Sequence, residues 1–257
     1  MPYTTLETGE RVFYSHKDND AGIDVLFVHG AGGTHRNWGH QVQDLAGANT
    51  YALDLPGHGR SAGKGRDTIS GYSDVILRFL DALDIERAIL VGHSMGGGIA
   101  QWTALHAPER LMGIGLVGTG ARLRVLPAIL DGLESEFEKT VDLILNYSFG
   151  SQAGQSLVEG GRAEFLTNQP AILRDDFVAC NRFDVMARLG DINLPATVVV
   201  GDRDRLTPPK YARYLADHLS DSELTVVENA GHMVMLEQPG SVTQALQRFV
   251  DRFCQDT

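Results

Sequence analysis

The stretch VGHSMGGG, residues 91–98, joins one apolar run to another and places Ser94 between two glycines in the pattern G-x-S-x-G. A glycine lets chain segments approach where a Cβ atom would collide. The flanking apolar runs predict a strand that turns sharply into a helix, with the serine hydroxyl exposed on the turn. The N-terminal end of such a helix favours developing negative charge. The stretch therefore predicts a nucleophilic serine on a strand-turn-helix unit.

Outward from this unit, short β-rich runs alternate with longer amphipathic segments, which predicts a mostly parallel sheet flanked by helices. Residues 3–7 and 11–15 predict an antiparallel hairpin at the edge of that sheet. Further strands are predicted at residues 24–28, 50–53, 87–91, 113–117, 196–200 and 224–227, and helices at residues 36–45, 68–83, 95–106, 209–219 and 241–253.

One segment interrupts the alternation. Residues 122–190 contain no convincing strand, but they carry several stretches with helical spacing. The segment lies between two predicted strands and so over the carboxyl ends of the sheet, where open α/β sheets bind ligands. We therefore predict a core formed by residues 1–121 and 191–257 and a helical cap formed by residues 122–190.

Composition and charge argue against several classes of protein. The 257 residues are 43% hydrophobic and carry a formal net charge of -11, so binding to nucleic acid or to an anionic membrane is not expected. No apolar run is long enough to span a bilayer and no signal peptide is evident, so a cytoplasmic location is expected. Cys180 and Cys254 lack the spacing of a metal site or a disulfide framework, and we expect no metal and no cofactor.

Four blocks of sequence together are far more specific than the serine motif alone. They are VHGAGG at 28–33, DLPGHGRS at 54–61, GHSMGG at 92–97, and the pair GDRDRLTP at 201–208 with NAGHMVMLEQP at 229–239. In these blocks the chain resembles the α/β-hydrolase superfamily, from about residue 23 to residue 253. The resemblance implies an α/β fold with a mostly parallel central sheet and a helical cap inserted between two core strands.

The resemblance also implies the site residues. Ser94 matches the nucleophile and His232 the general base, in the chain order of serine, acid and histidine. GDRDRLTP offers two acids, and family spacing favours Asp204 over Asp202, which is expected to be a turn or salt-bridge residue. The backbone N–H groups of Ala31 and Met95 are the expected oxyanion donors.

The expected activity is that of a serine hydrolase, in which Ser94 forms an acyl-enzyme with a small or medium carboxylic ester; carboxylesterase is the name that fits best. Carbon–carbon bond hydrolases of meta-cleavage-type diketones use the same triad and cap, but they usually carry tryptophan directly after the catalytic histidine, where this chain has Met233. Lactonase, cofactor-free perhydrolase and small-molecule receptor remain alternatives. A haloalkane dehalogenase would need aspartate in place of Ser94.

Overall fold

An eight-stranded sheet forms the centre of the chain in the computed structural model, which describes residues 2–254. The strand order is β1-β2-β4-β3-β5-β6-β7-β8. The pairs β1–β2 and β2–β4 are antiparallel, and the other neighbours are parallel. The strands are β1 Tyr3–Thr5, β2 Arg11–Lys17, β3 Asp24–Val28, β4 Asn49–Leu53, β5 Ala88–His93, β6 Leu111–Val117, β7 Ala196–Gly201 and β8 Ser222–Val227. The predicted α/β-hydrolase fold is confirmed.

Helices cover both faces of this sheet because its strands are apolar on both sides. Within β3, Leu26 and Val28 join a buried cluster with α2, α3 and α8, whereas Val25 and Phe27 join a second cluster with α1 and α10. Burying one such side chain stabilises the fold by roughly 1.5–3 kcal/mol. The helices in the described part of the chain are α1 Gly39–Asp44, α2 Ile69–Ala82, α3 Met95–His106, α4 Pro127–Ser135, α5 Phe137–Ser148, α6 Gln155–Phe165, α7 Pro170–Arg182, α8 Pro209–His218, α9 Val234–Glu237 and α10 Pro239–Cys254.

One predicted helix differs in form. Instead of one helix over residues 36–45, the chain forms a 3-10 turn, His35–Trp38, followed by α1. Trp38 leaves the helical conformation, with φ -110° and ψ 12°, and is fully buried with its ring centroid 4.9 Å from that of Phe27. The segment is helical in two pieces, and the break coincides with the packing of the Trp38 ring against β3.

Helices α4 to α7 lie between β6 and β7, and the two ends of this segment are joined. Arg122 and Asp184 form an isolated antiparallel bridge and a salt bridge of 2.6 Å. The amide of Val185 donates to the carbonyl of Ala121 at 2.8 Å. The helical segment therefore leaves and rejoins the sheet through one narrow neck, beside the carboxyl ends of the strands. The boundaries 122 and 190 remain a prediction.

Candidate active site

Ser94 stands between β5 and α3 with φ 52° and ψ -112°, a backbone conformation that a residue other than glycine rarely adopts. The glycines on each side make this turn possible. A Cβ atom on Gly92 would collide with the carbonyl oxygen of Gly96, and one on Gly96 would collide with the carbonyl oxygen of Val28 in β3. The packing of β3, β5 and α3 therefore requires both glycines, and it holds the serine at the carboxyl edge of the sheet.

His232 and Asp204 follow β8 and β7, and the structure brings their side chains together. Nδ1 of His232 lies 2.8 Å from Oδ2 of Asp204, and both side chains are buried. The hydroxyl of Thr207 also donates to Oδ2 at 2.8 Å, and its oxygen lies 3.1 Å from Nδ1 of His232. Sequence reasoning missed Thr207, although a threonine three residues after an aspartate is a recurrent pattern for a local hydrogen bond to the carboxylate.

The environment of Asp204 keeps it ionised. Burial by itself raises the pKa of a carboxyl group, but His232, the backbone amide of Thr207 and its hydroxyl outweigh burial and lower the pKa of Asp204. Asp202 lies elsewhere: its side chain is exposed and its Oδ1 accepts from the amide of Ala230 at 3.2 Å, in the loop that leads to His232. Of the two candidate acids, only Asp204 reaches the histidine.

Ser94 and His232 line the same cavity, of about 40 Å³. Ala31 lines it as well, and Met95 opens α3 directly after the serine. Among the described residues, neither the Ala31 amide nor the Met95 amide donates a backbone hydrogen bond. These two N–H groups are therefore free to donate to a ligand oxygen beside the serine.

Two further histidines are completely buried and brace this edge of the sheet. Nε2 of His93 donates to the carbonyl of His232 at 3.0 Å, which fixes the loop that carries the candidate base. Nδ1 of His29 donates to the carbonyl of Gly30 at 2.8 Å, and its Nε2 accepts from the amide of Leu55 at 3.0 Å. Burial, reinforced by a neighbouring histidine in each case, lowers the pKa of His29 to about 4 and that of His93 to about 3. Both rings are therefore neutral near pH 7.

Asp54 braces the next loop. It is fully buried and accepts hydrogen bonds from the amide of His35 at 2.7 Å, from Nδ1 of the same histidine at 2.8 Å, and from the amide of Arg60 at 2.9 Å. Burial opposes ionisation of Asp54, but these donors outweigh it and lower its pKa. The carboxylate is satisfied by the loops around it and does not line the cavity of Ser94.

Asp176, on the helix α7, is the main residue at this site that sequence reasoning missed. It is completely buried, and its Oδ2 accepts from the amide of Gly32 at 2.8 Å and from Nε2 of His58 at 2.8 Å. Its other oxygen accepts from the hydroxyl of Tyr72. Burial disfavours a charged histidine, but the Asp176 carboxylate outweighs it and raises the pKa of His58. The buried Asp176 carboxyl group therefore connects α7 to the core through Gly32, His58 and Tyr72.

The backbone N–H and the carbonyl group of Gly32 are both held by side chains of the segment between β6 and β7. Asp176 accepts from its N–H, and the side-chain amide of Asn168 donates to its carbonyl oxygen at 2.8 Å. Gly32 has a φ of 66°, a conformation that favours glycine, and a Cβ atom there would lie 2.6 Å from the Cδ1 atom of Leu173. Gly32 directly follows Ala31. The position of the Ala31 amide therefore depends on side chains of α7 and of the turn that precedes it.

Neither a metal site nor a membrane span is found within residues 2–254. No three histidine, cysteine or acidic side chains of that range are grouped as metal ligands would be. None of its helices combines the length and the apolar character needed to cross a bilayer.

The sequence pattern of the alpha/beta hydrolase family matches residues 25–245. The chain belongs to this family. The solved structure of a thermophilic esterase is 36% identical to this α/β hydrolase, superposes with a TM-score of 0.86, and covers 98% of this chain and 97% of its own. The names of the curated relatives describe several different activities.

A pimeloyl-[acyl-carrier protein] methyl ester esterase of Pectobacterium carotovorum is 26% identical to this α/β hydrolase over 92% of the chain and 97% of its own length. A dihydrolipoyllysine-residue acetyltransferase component of an acetoin cleaving system, from Cupriavidus necator, is 31% identical over 93% of the chain. The match covers 66% of that relative, so this α/β hydrolase spans slightly less than two thirds of its length.

Proposed function

We propose that this α/β hydrolase is a serine esterase that cleaves carboxylic esters of small or medium size through an acyl-enzyme on Ser94. The observation that carries the proposal is the hydrogen bond of 2.8 Å between His232 and Asp204, beside a serine held on a strained turn in the same cavity. A serine hydroxyl is a weak nucleophile at neutral pH and needs an adjacent base that is itself oriented by a third group. The esterase relatives support the same assignment.

The proposed reaction proceeds in two halves. Ser94 Oγ attacks the ester carbonyl while Nε2 of His232 takes its proton, and the C–O bond of the tetrahedral intermediate then breaks as His232 returns the proton to the alcohol. Asp204 holds the ring and stabilises its positive charge. Water, deprotonated by His232, then attacks the acyl-enzyme, and the bond between the acyl carbon and Ser94 Oγ breaks as His232 returns the proton to Oγ, which releases the acid.

The amides of Ala31 and Met95 donate to the carbonyl oxygen as it becomes negative. Removing one such donor typically costs about 100- to 1,000-fold in turnover. Both proposed donors belong to the backbone, so they cannot be removed by changing a side chain. Their contribution is therefore best probed through the residues that hold them.

A fluorophosphonate probe tests the nucleophile directly. We expect covalent labelling at Ser94, none in Ser94→Ala, and unchanged labelling in Ser220→Ala, an exposed serine on the far loop before β8. The labelled residue is identified by peptide mass spectrometry. Labelling at another serine, or none, would contradict the proposal.

A substrate panel tests the reaction type. Nitrophenyl esters of increasing acyl length are measured beside lactones and a meta-cleavage diketone, with Ser94→Ala as the background. We expect turnover of the esters to exceed that of the other two classes. Faster turnover of the diketone or of a lactone would replace esterase by the corresponding activity while keeping the same three residues.

A further inference from the structure

The cavity that Ser94 shares with His232 is too small to hold a whole substrate. Its volume is about 40 Å³, whereas pockets for small ligands usually enclose about 300–1,000 Å³. A second cavity, of about 70 Å³, also touches Ser94 and is lined by Leu123, Val125, Leu206 and Tyr211 among others. An ester has two halves, so the two cavities offer two directions in which a substrate can extend from the serine.

The second cavity borders a larger one. This outer cavity, which we call the vestibule, has a volume of about 340 Å³ and is lined by Ala121, Arg122, Arg124, Met186, Lys210, Tyr211 and Tyr214. Arg124 and Tyr211 line both the vestibule and the 70 Å³ cavity. The vestibule is therefore the next space that a substrate would enter on leaving Ser94 in this direction.

The vestibule is basic in a chain whose formal net charge is -11. Arg122 is neutralised by Asp184 at 2.6 Å. Arg124 and Lys210 form no ion pair with an acidic side chain of residues 2–254. No acidic side chain lines the cavity. The Arg124 guanidinium donates to the carbonyl of Asn181 at 3.2 Å and acts electrostatically on Asp184, which does not line the cavity. The lining itself therefore carries positive charge and no carboxylate.

Stability does not explain the position of Lys210. It lies in the first turn of α8, at the positive end of the helix dipole, and that turn contains no acidic residue. A cation at this end of a helix is unfavourable, and an anion is favourable. Such a departure from local preference is expected where a ligand supplies the missing charge. The tyrosine side chains of the vestibule add hydrogen-bond donors for the same purpose.

We propose that the vestibule binds a carboxylate at the far end of the substrate, so that the preferred substrates are esters that carry a second, ionised acid group. Arg124 and Lys210 provide the charge that recognises this group. The proposal rests on the proposed esterase function, because it assigns the substrate class of that site. The carboxylate belongs either to the acyl half or to the alcohol half of the ester.

Paired substrates measure this recognition. In the acyl series, nitrophenyl monoesters of succinate, glutarate, adipate and suberate are compared with the matching esters in which a primary amide replaces the carboxylate. In the alcohol series, acetyl esters of hydroxy acids are compared with those of the hydroxy amides. We expect one of the two series to show this recognition. In that series, at one chain length, kcat/KM should be about tenfold higher for the ester with the carboxylate than for the matching ester with the amide.

Three variants and one control locate the effect. Arg124→Gln and Lys210→Gln should each lower the ratio of charged to neutral kcat/KM about threefold, and Lys210→Glu should favour the neutral ester. Arg213→Gln removes the same charge from an exposed position on α8 that does not line the vestibule. An equal fall of the ratio in Arg213→Gln would indicate the general field of the protein and overturn the site. Ratios near one in the wild-type protein for both series would overturn it too.

A binding measurement separates this proposal from the esterase assignment. Calorimetric titration of Ser94→Ala with the free dicarboxylates needs no turnover. We expect weak binding that weakens about threefold further in Ser94→Ala with Lys210→Gln and is unchanged with Arg213→Gln. Such binding without any ester hydrolysis would support carboxylate binding in the vestibule and refute the esterase function. Hydrolysis of neutral esters, with no preference for charged esters and no binding of dicarboxylates, would support the esterase function and refute carboxylate binding in the vestibule.

Discussion

Replacing Asp176 by leucine tests whether α7 positions the oxyanion donors. Leucine has the same number and branching of side-chain heavy atoms as aspartate but no acceptor, so Asp176→Leu leaves the Gly32 amide, Nε2 of His58 and the Tyr72 hydroxyl buried without their partner. An unsatisfied buried donor costs about 1–3 kcal/mol, and this substitution leaves three such donors. We expect unfolding free energy to fall by about 3–5 kcal/mol and Tm by about 10 °C.

The catalytic effect should appear in kcat. Without Asp176 the Gly32 peptide loses one of its two anchors and the preceding Ala31 amide is no longer fixed. An oxyanion donor acts mainly in the transition state, and small misplacements cost up to about 100-fold. We therefore expect kcat for a neutral ester to fall about 10- to 100-fold with little change in KM, measured well below the Tm of the variant.

Two comparisons decide the interpretation. Asp176→Asn can still accept from Gly32 and His58 through its oxygen and donate to the Tyr72 oxygen, so it should recover most of kcat. Asp175→Leu, on the same helix, should change kcat and Tm far less. Loss of stability with an unchanged kcat would make Asp176 a structural residue only. A rise in KM alone would assign α7 to substrate binding instead of oxyanion positioning.

The remaining predictions concern the acid, the buried histidines and the serine turn. Asp204→Asn should reduce kcat by several orders of magnitude with little change in Tm, while Asp202→Asn should reduce it much less; steady-state kinetics with reversed effects would refute the acid assignment. Since the pKa values of His29 and His93 lie at about 4 and about 3, below the ordinary 6.5, the unfolded chain binds more protons than the native one as pH falls below 6.5. Between about pH 6 and pH 4 the free energy of unfolding should therefore decrease by up to about 1.4 kcal/mol per pH unit for each ring. Urea unfolding at several pH values should show a weaker dependence of this free energy on pH in His93→Gln. Gly96→Ala should give little folded protein by circular dichroism, because its Cβ would collide with the backbone of β3; a native-like spectrum would refute the close packing of this turn.

Sequence alone determined the features that depend on neighbours along the chain. The alternation of apolar strands and amphipathic helices predicted the sheet, and VGHSMGGG predicted the serine turn, because a positive φ and close backbone packing leave a local mark in the positions of glycine. His232 and Asp204 came from the resemblance, through blocks with fixed spacing. The His232 and Asp204 side chains do meet, at 2.8 Å. Their catalytic roles stay predictions.

Only the tertiary structure decided which distant side chains satisfy one another. His35 pairs with Asp54, and Asp176 contacts Gly32, 144 residues away. Helical periodicity identifies an apolar face, yet it carries no signal for a buried charge, because the partners that compensate its lost hydration come from other segments. The vestibule has the same origin: Arg124 and Lys210 belong to separate segments, and only the folded chain makes them line one cavity.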